Sequence, residues 1–157
     1  MTEPYSNANL PRKRIGATVL YLNDEGEVLI VKPTYRKGWL TPGGTVQENE
    51  TPYAGCRREV REELGVDFTV EGLACIGYRS AHDDKVENIQ FVFWGGVLSP
   101  EQVSSIRLQE SELEQFRFCA PDRLGDYLNK NLASRCRLAL EGHAKGSIAY
   151  EENMQVR

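Results

Sequence analysis

Cysteine is scarce in this 157-residue chain: Cys56, Cys75, Cys119 and Cys136 are its only four. They lie far apart, without the close pairs of a zinc site or the dense framework of a disulfide-stapled domain, so buried thiols are expected. Long apolar runs are missing as well. Nothing approaches the roughly 20 residues of a membrane-spanning helix, and the opening MTEPYSNANL has no apolar signal-peptide core. No membrane association is expected, and the cytoplasm is the expected location. Basic residues are in deficit, 19 Lys and Arg against 23 Asp and Glu for a net charge of −4. That balance argues against a nucleic-acid polymer as partner. Internal repeats and low-complexity segments are absent too.

What remains is an ordinary globular composition, 40% hydrophobic and 27% charged, with length enough for one domain and a proper core. We expect a single domain over 1–157, with flexible tails at 1–12 and 143–157. Arg14 to Leu22 reads as a strand rich in β-branched residues, Asn23 to Gly26 as a turn, and Glu27 to Lys32 as the returning strand. Asp67 to Ser80 is a β-prone stretch, Ile89 to Val97 an aromatic-rich strand, and Glu114 to Phe118 another strand. Ser99 to Ser105 is a linker or a short helical turn. Asp122 to Leu128 and Asn131 to Glu141 read as helices, the second carrying Leu132, Cys136 and Leu140 at helical spacing.

The most informative stretch is Gly43 to Val66. Thr51 is a helix cap, Pro52 suits the first helical position, and Gly65 falls where a left-handed residue ends a helix. Between them Tyr53, Cys56, Val60 and Leu64 form an apolar stripe. Glu59, Glu62 and Glu63 gather on a neighbouring face, where like charges three and four apart repel by a few tenths of a kcal/mol. A solvated acidic face is the bland reading. A hard divalent cation with oxygen ligands is the functional one, and Mg2+ suits a few carboxylates plus substrate phosphate.

The spacing decides between them. Gly44 is followed after five residues by Glu50, and after seven more by Arg58-Glu59-Val60-Arg61-Glu62-Glu63-Leu64-Gly65-Val66. This resembles the signature of the Nudix hydrolases at every specified position, and Trp39 to Gly43 is similar to the family's lead-in. The resemblance implies a Nudix fold, a mixed β-sheet sandwiched between α-helices in an α/β/α arrangement. It also implies hydrolysis of a pyrophosphate in a nucleoside diphosphate linked to another moiety, by water activated on Mg2+ (or Mn2+).

On that resemblance Glu59, Glu62 and Glu63 bind metal with the Gly43 carbonyl, and Arg58 holds a glutamate in place. Glu50 orients at the helix start, while Gly44 and Gly65 are structural. A general base comes from a later loop, where LQESELEQF offers Glu112 first and Glu110 second. Arg36, Lys37, Trp39 and Tyr78 are candidates to meet phosphates or base, each against a plain loop or core role. His82, beside Asp83 and Asp84, is a surface histidine with a minor metal or substrate role left open.

The partner is a small-molecule nucleotide, and the protein is a monomer or homodimer. The downstream signatures of the NADH, coenzyme A and ADP-ribose branches are not found, nor the added cysteine of the isopentenyl isomerase branch. The competing class is a catalytically silent nucleotide-sensing module, which often loses a ligand glutamate; this chain keeps all three.

Overall fold

Strand β1 (Arg14–Leu22) is the axis of the molecule. Its alternation sends Ala17, Val19 and Tyr21 to one face and Leu20 to the other, and both faces are covered. A strand buried on both sides carries a near-continuous apolar run, which is what TVLYL supplies. The structure, a computed structural model, describes residues 7–157. The first six residues, part of the expected 1–12 tail, lie outside the described residues.

The remaining strands are β2 (Val28–Pro33), β3 (Gly43–Thr45), β4 (Leu73–Arg79), β5 (Asn88–Val97), β6 (Leu113–Cys119), β7 (Ala149–Glu152) and β8 (Gln155–Val156). They form one sheet in the order β6-β2-β1-β5-β4-β7-β8, with β3 set against β1. The sheet is mixed: β1 runs parallel to β5 and β4 parallel to β7, while the other pairs are antiparallel. Helix α1 (Pro52–Leu64) packs on one face, where Cys56, Val60 and Leu64 meet Val19, Tyr21, Leu29 and Val31. Helix α3 (Lys130–Ala144) packs on the other through Ala133, Cys136 and Ala139, against Leu20, Ile30, Cys75 and Val92. The short α2 (Pro100–Ser105) is closed by a capping box between Ser99 and Gln102. The expected α/β/α arrangement is present. All four cysteines are free and buried, as expected.

The feature that places the functional segment is a gap. Strands β1 and β2 pair only near their turn, at Leu22 and Val28, and then diverge. The segment after Trp39 enters the opening. Leu40 exchanges backbone hydrogen bonds with Val31, Pro42 O accepts from Val19 N, and Gly43 to Thr45 pair with Thr18 to Gly16. Gly43 has φ of +137°, and a side chain there would overlap the β1 backbone at Ala17 and Thr18. Only glycine fits.

Four expectations change. Of the β-prone 67–80 stretch, only Leu73–Arg79 is strand. Phe68 and Val70 instead plug the α1-side core from a loop held by Tyr21, whose hydroxyl donates to Thr69 O. Asp122 to Leu128 is no α-helix; a 3-10 turn spans Pro121–Asp126. Within the expected N-terminal tail, Asn7–Asn9 forms one 3-10 turn. The expected flexible tail at 143–157 ends α3, turns, and adds β7 and β8 to the sheet edge beside β4. No described helix is long and apolar enough to cross a membrane.

Candidate active site

Helix α1 starts and stops where its caps dictate. Thr51 Oγ1 accepts from Ala54 N at 3.1 Å, and Gly65 adopts φ of +68° and donates to Arg61 O. Just past its end Asp67 receives Arg57 at 3.1 Å and Arg61 at 3.0 Å, which holds its carboxyl below the usual range. The helix is thereby fixed at both ends, with Glu59 and Glu63 one turn apart on the side toward β3.

Gly43 and Gly44 meet those two carboxylates directly. Gly43 N donates to Glu63 Oε2 at 2.9 Å. A Cβ on Gly44 would stand 2.7 Å from the Glu59 carboxyl, so glycine leaves the room that Glu59 occupies. Glu63 is 6% exposed, and among the described residues no Lys, Arg or His pairs with it. Burial pushes its carboxyl up to about 8, opposed by the Gly43 hydrogen bond and reinforced by Glu59, Glu112 and Glu62. Glu59 is raised as well, by burial first, against the opposing bond from Arg58.

Arg58 ties the loop to the helix. Its guanidinium donates to both oxygens of Glu50 at 2.8 and 3.1 Å, to Glu59 Oε1 at 2.9 Å, to Glu62 Oε2 at 3.0 Å, and to Thr45 O at 3.2 Å. Glu50 also accepts from Gln47 N at 2.9 Å. Charge-assisted forks of this kind fix orientation as well as adding energy. They also explain where the wheel reading departs from the structure. Glu62, four residues after Arg58, turns to that arginine and shares its Nη1 with Glu59. Among the described residues no three carboxylate, imidazole or thiol groups gather closely enough to cage a cation.

The pair Glu59 and Glu63 opens on a cleft of about 610 Å³. Its floor is the α3-side face of the sheet: Gly16 and Thr18 of β1, Asn88 and Gln90 of β5, and Arg79 of β4. Glu112 lines it, from a loop anchored where Thr34 N donates to Glu112 O at 2.8 Å. Glu110 does not line it. Arg36 does, and so do Tyr35 and His82, whose Nδ1 lies 3.0 Å from Ser80 O.

Three candidate substrate residues are not brought to the cleft. Lys37 is an exposed loop residue. Trp39 packs edge-on against Tyr127 at 5.8 Å, with Arg117 over its ring. The Tyr78 hydroxyl is engaged by Glu87. Residues outside the sequence reading complete the lining: Arg14, Thr41, Lys85, and Arg135 with Asn129 and Asn131 near the start of α3. Arg135 carries no sequence signal, because an arginine inside an amphipathic helix reads as a solvated face.

The family model described as the NUDIX domain matches residues 12–139. Nudix hydrolase 5 of Arabidopsis thaliana is 29% identical over 122 residues, covering 74% of this chain and 38% of that protein. The chain spans less than half the length of the first curated relatives it matches. Among solved structures, a MutT protein from Methanosarcina mazei Go1 superposes with a TM-score of 0.65 at 23% identity, over 88% of this chain and 98% of that one. A structure named UDP-X diphosphatase superposes with a TM-score of 0.74 at 19% identity, over 92% of this chain and 70% of that one. At such identities these structures speak for the fold alone, which they share. With the complete signature on the loop and helix that line the cleft, and the domain match over most of its length, the chain belongs to the Nudix family.

Proposed function

We propose that this chain is a Mg2+-dependent pyrophosphohydrolase, a single catalytic domain that cleaves a nucleoside diphosphate linked to another moiety. The observation that carries the reading is Glu63: a carboxylate buried at the cleft mouth beside Glu59, with no basic partner among the described residues. An uncompensated buried charge is costly. The donor set of Glu59, Glu63 and the Gly43 carbonyl is hard oxygen, the chemistry Mg2+ takes while keeping waters and substrate phosphate in its remaining positions. When bound, the cation offsets charge on the phosphate oxygens and makes its water more acidic. Mn2+ fits the same oxygen set.

The protein's own residues supply the rest. Glu59 and Glu63 would hold the metal, and Arg58 keeps Glu59 in one rotamer while Glu50 keeps Arg58. Glu112 accepts a proton from the attacking water as the new P–O bond forms and the P–O bond to the leaving group breaks. Arg36, which lines the cleft, offers a fork to a phosphate. In so crowded a set of carboxylates the titrations belong to the group.

The silent sensor is the less favoured reading, because both cleft carboxylates and their arginine clamp are retained. The test is a panel of nucleoside triphosphates and nucleotide-linked compounds assayed for released phosphoryl products, with Mg2+ and with excess chelator. Turnover that needs the metal and falls in Glu59→Gln and Glu63→Gln is expected. Nucleotide binding with no turnover across the panel would favour the sensor, and full activity in chelator would sink the metal assignment.

A further inference from the structure

The end of the cleft away from the glutamates carries its own polar apparatus. Strands β3, β1, β5 and β4 are successive neighbours, so β3 and β4 are separated by three strand spacings, about 14 Å. The carboxylates that line the cleft, Glu59, Glu63 and Glu112, do not come from the β4 side. Arg79 of β4 and Arg135 of α3 do.

Arg135 is 6% exposed and reaches over Gly77, the one residue type that leaves space there; a Cβ at Gly77 would overlap both Arg135 and Glu151. Glu151, on the C-terminal strand β7 and 2% exposed, accepts from Arg135 Nε and pairs with Nη2, each at 3.1 Å. Its other oxygen accepts from Met154 N at 2.7 Å. The guanidinium is therefore gripped on one side, and its Nη1 has no partner among the described residues.

Arg79, two residues after Gly77 and on the same face of β4, leaves its buried Nε without a hydrogen-bond partner and lines the cleft with Arg135. Buried polar groups are nearly always satisfied, and an exception that lines a cleft is open to water or a ligand. Asn131, four residues before Arg135 on α3, shares the face that meets the cleft.

We infer that Arg135 and Arg79 form an anion-binding subsite for a second anionic group of the substrate, on the moiety beyond the cleaved pyrophosphate. This rests on the proposed activity for its place in a reaction. The C-terminal strand takes part through Glu151, which positions Arg135 rather than touching substrate. The substrate class follows: a nucleoside diphosphate joined to a group bearing a carboxylate or phosphate of its own.

The test has two arms. In chelator, binding of inorganic phosphate is measured by calorimetry for the parent and for Arg79→Gln and Arg135→Lys, with thermal unfolding as the check on folding. A tenfold or greater loss of affinity in Arg79→Gln, and a smaller loss in Arg135→Lys, is expected. Wild-type affinity in both folded variants, or no phosphate binding by the parent, overturns the subsite. With Mg2+, a matched pair of nucleotide sugars differing only in a C6 alcohol or C6 carboxylate is compared. The parent should prefer the carboxylate, and Arg79→Gln should raise KM for that substrate at least tenfold, with kcat little changed. Equal KM values for the pair in the parent would overturn the inference. Turnover of neither substrate, with phosphate binding lost as expected, would overturn the proposed activity and leave the anion subsite standing.

Discussion

Glu63 shows how one side chain can oppose folding and serve a site. Its carboxyl, pushed up to about 8 by burial, holds a proton in the native apo state that the unfolded chain has released above about pH 4.5. Between those values the native state binds more protons than the unfolded state, so stability falls as pH rises. In chelator, the parent should lose stability on the order of a few kcal/mol from pH 5 to pH 8, read by denaturant titration. Glu63→Gln should flatten that slope, and an unchanged slope would place the titrating group elsewhere. Arg58 gives a second prediction at this scale. Arg58→Lys keeps the charge but loses the fork that spans Glu50 and Glu59, so turnover should drop about 10–100-fold with the fold retained, as for other groups that orient metal ligands. Steady-state assays beside circular dichroism check this, and parental activity would reduce Arg58 to packing. The sequence placed Glu59, Glu62 and Glu63 on one side of a helix but could not show Arg58 claiming Glu62. Rotamers answer to neighbours that a helical wheel does not contain.

Elements differ in how plainly the chain announces them. Helix α1 was legible to the residue because Thr51, Pro52 and Gly65 are local instructions that need no tertiary partner. Strands β1 and β5 were legible from runs of β-branched and aromatic residues. Strand β7 was not, since AYEE inside a polar tail becomes a strand only by pairing with β4, which lies some 70 residues earlier. Its anchor is the buried pair of Arg135 and Glu151, and that pair is worth testing. Glu151→Gln should destabilise the protein by roughly 3–5 kcal/mol, because removing one partner leaves a buried guanidinium uncompensated. Gly77→Ala should destabilise it as well, by driving a methyl group into the same pair. Thermal and denaturant unfolding of both variants is the measurement. If Glu151→Gln unfolds like the parent, β7 is held by its backbone ladder alone and the pair does not anchor it. The same distance in sequence hid Arg79 and Arg135 as cleft residues, whereas Arg36 and Glu112 were found because their loops flank recognisable landmarks.

At the scale of the whole molecule, the candidate site is assembled from segments that meet only in the folded state: the β3 loop, α1, the Glu112 loop, and the β4 and α3 surfaces. A cation held by Glu59, Glu63 and the Gly43 carbonyl, as proposed, would therefore bind the native chain and have no preformed site in the unfolded one. By mass action it should stabilise the whole fold, by about 2.7 kcal/mol at a hundred times its dissociation constant. For a chain of this size each kcal/mol moves Tm by about 2–4 °C, so Mg2+ should raise the parent's Tm by roughly 5–11 °C at that concentration. Glu63→Gln should be at least as stable as the parent in chelator at pH 8, because it removes a buried charge that repels Glu59. The same variant should gain less Tm from Mg2+ and lose turnover sharply. These three effects separate a metal ligand from a buried carboxylate of purely structural use. If Glu63 merely anchored Gly43, the variant would lose apo stability and keep the parent's response to Mg2+, and the ligand set would then have to be sought around Glu59 and Glu112.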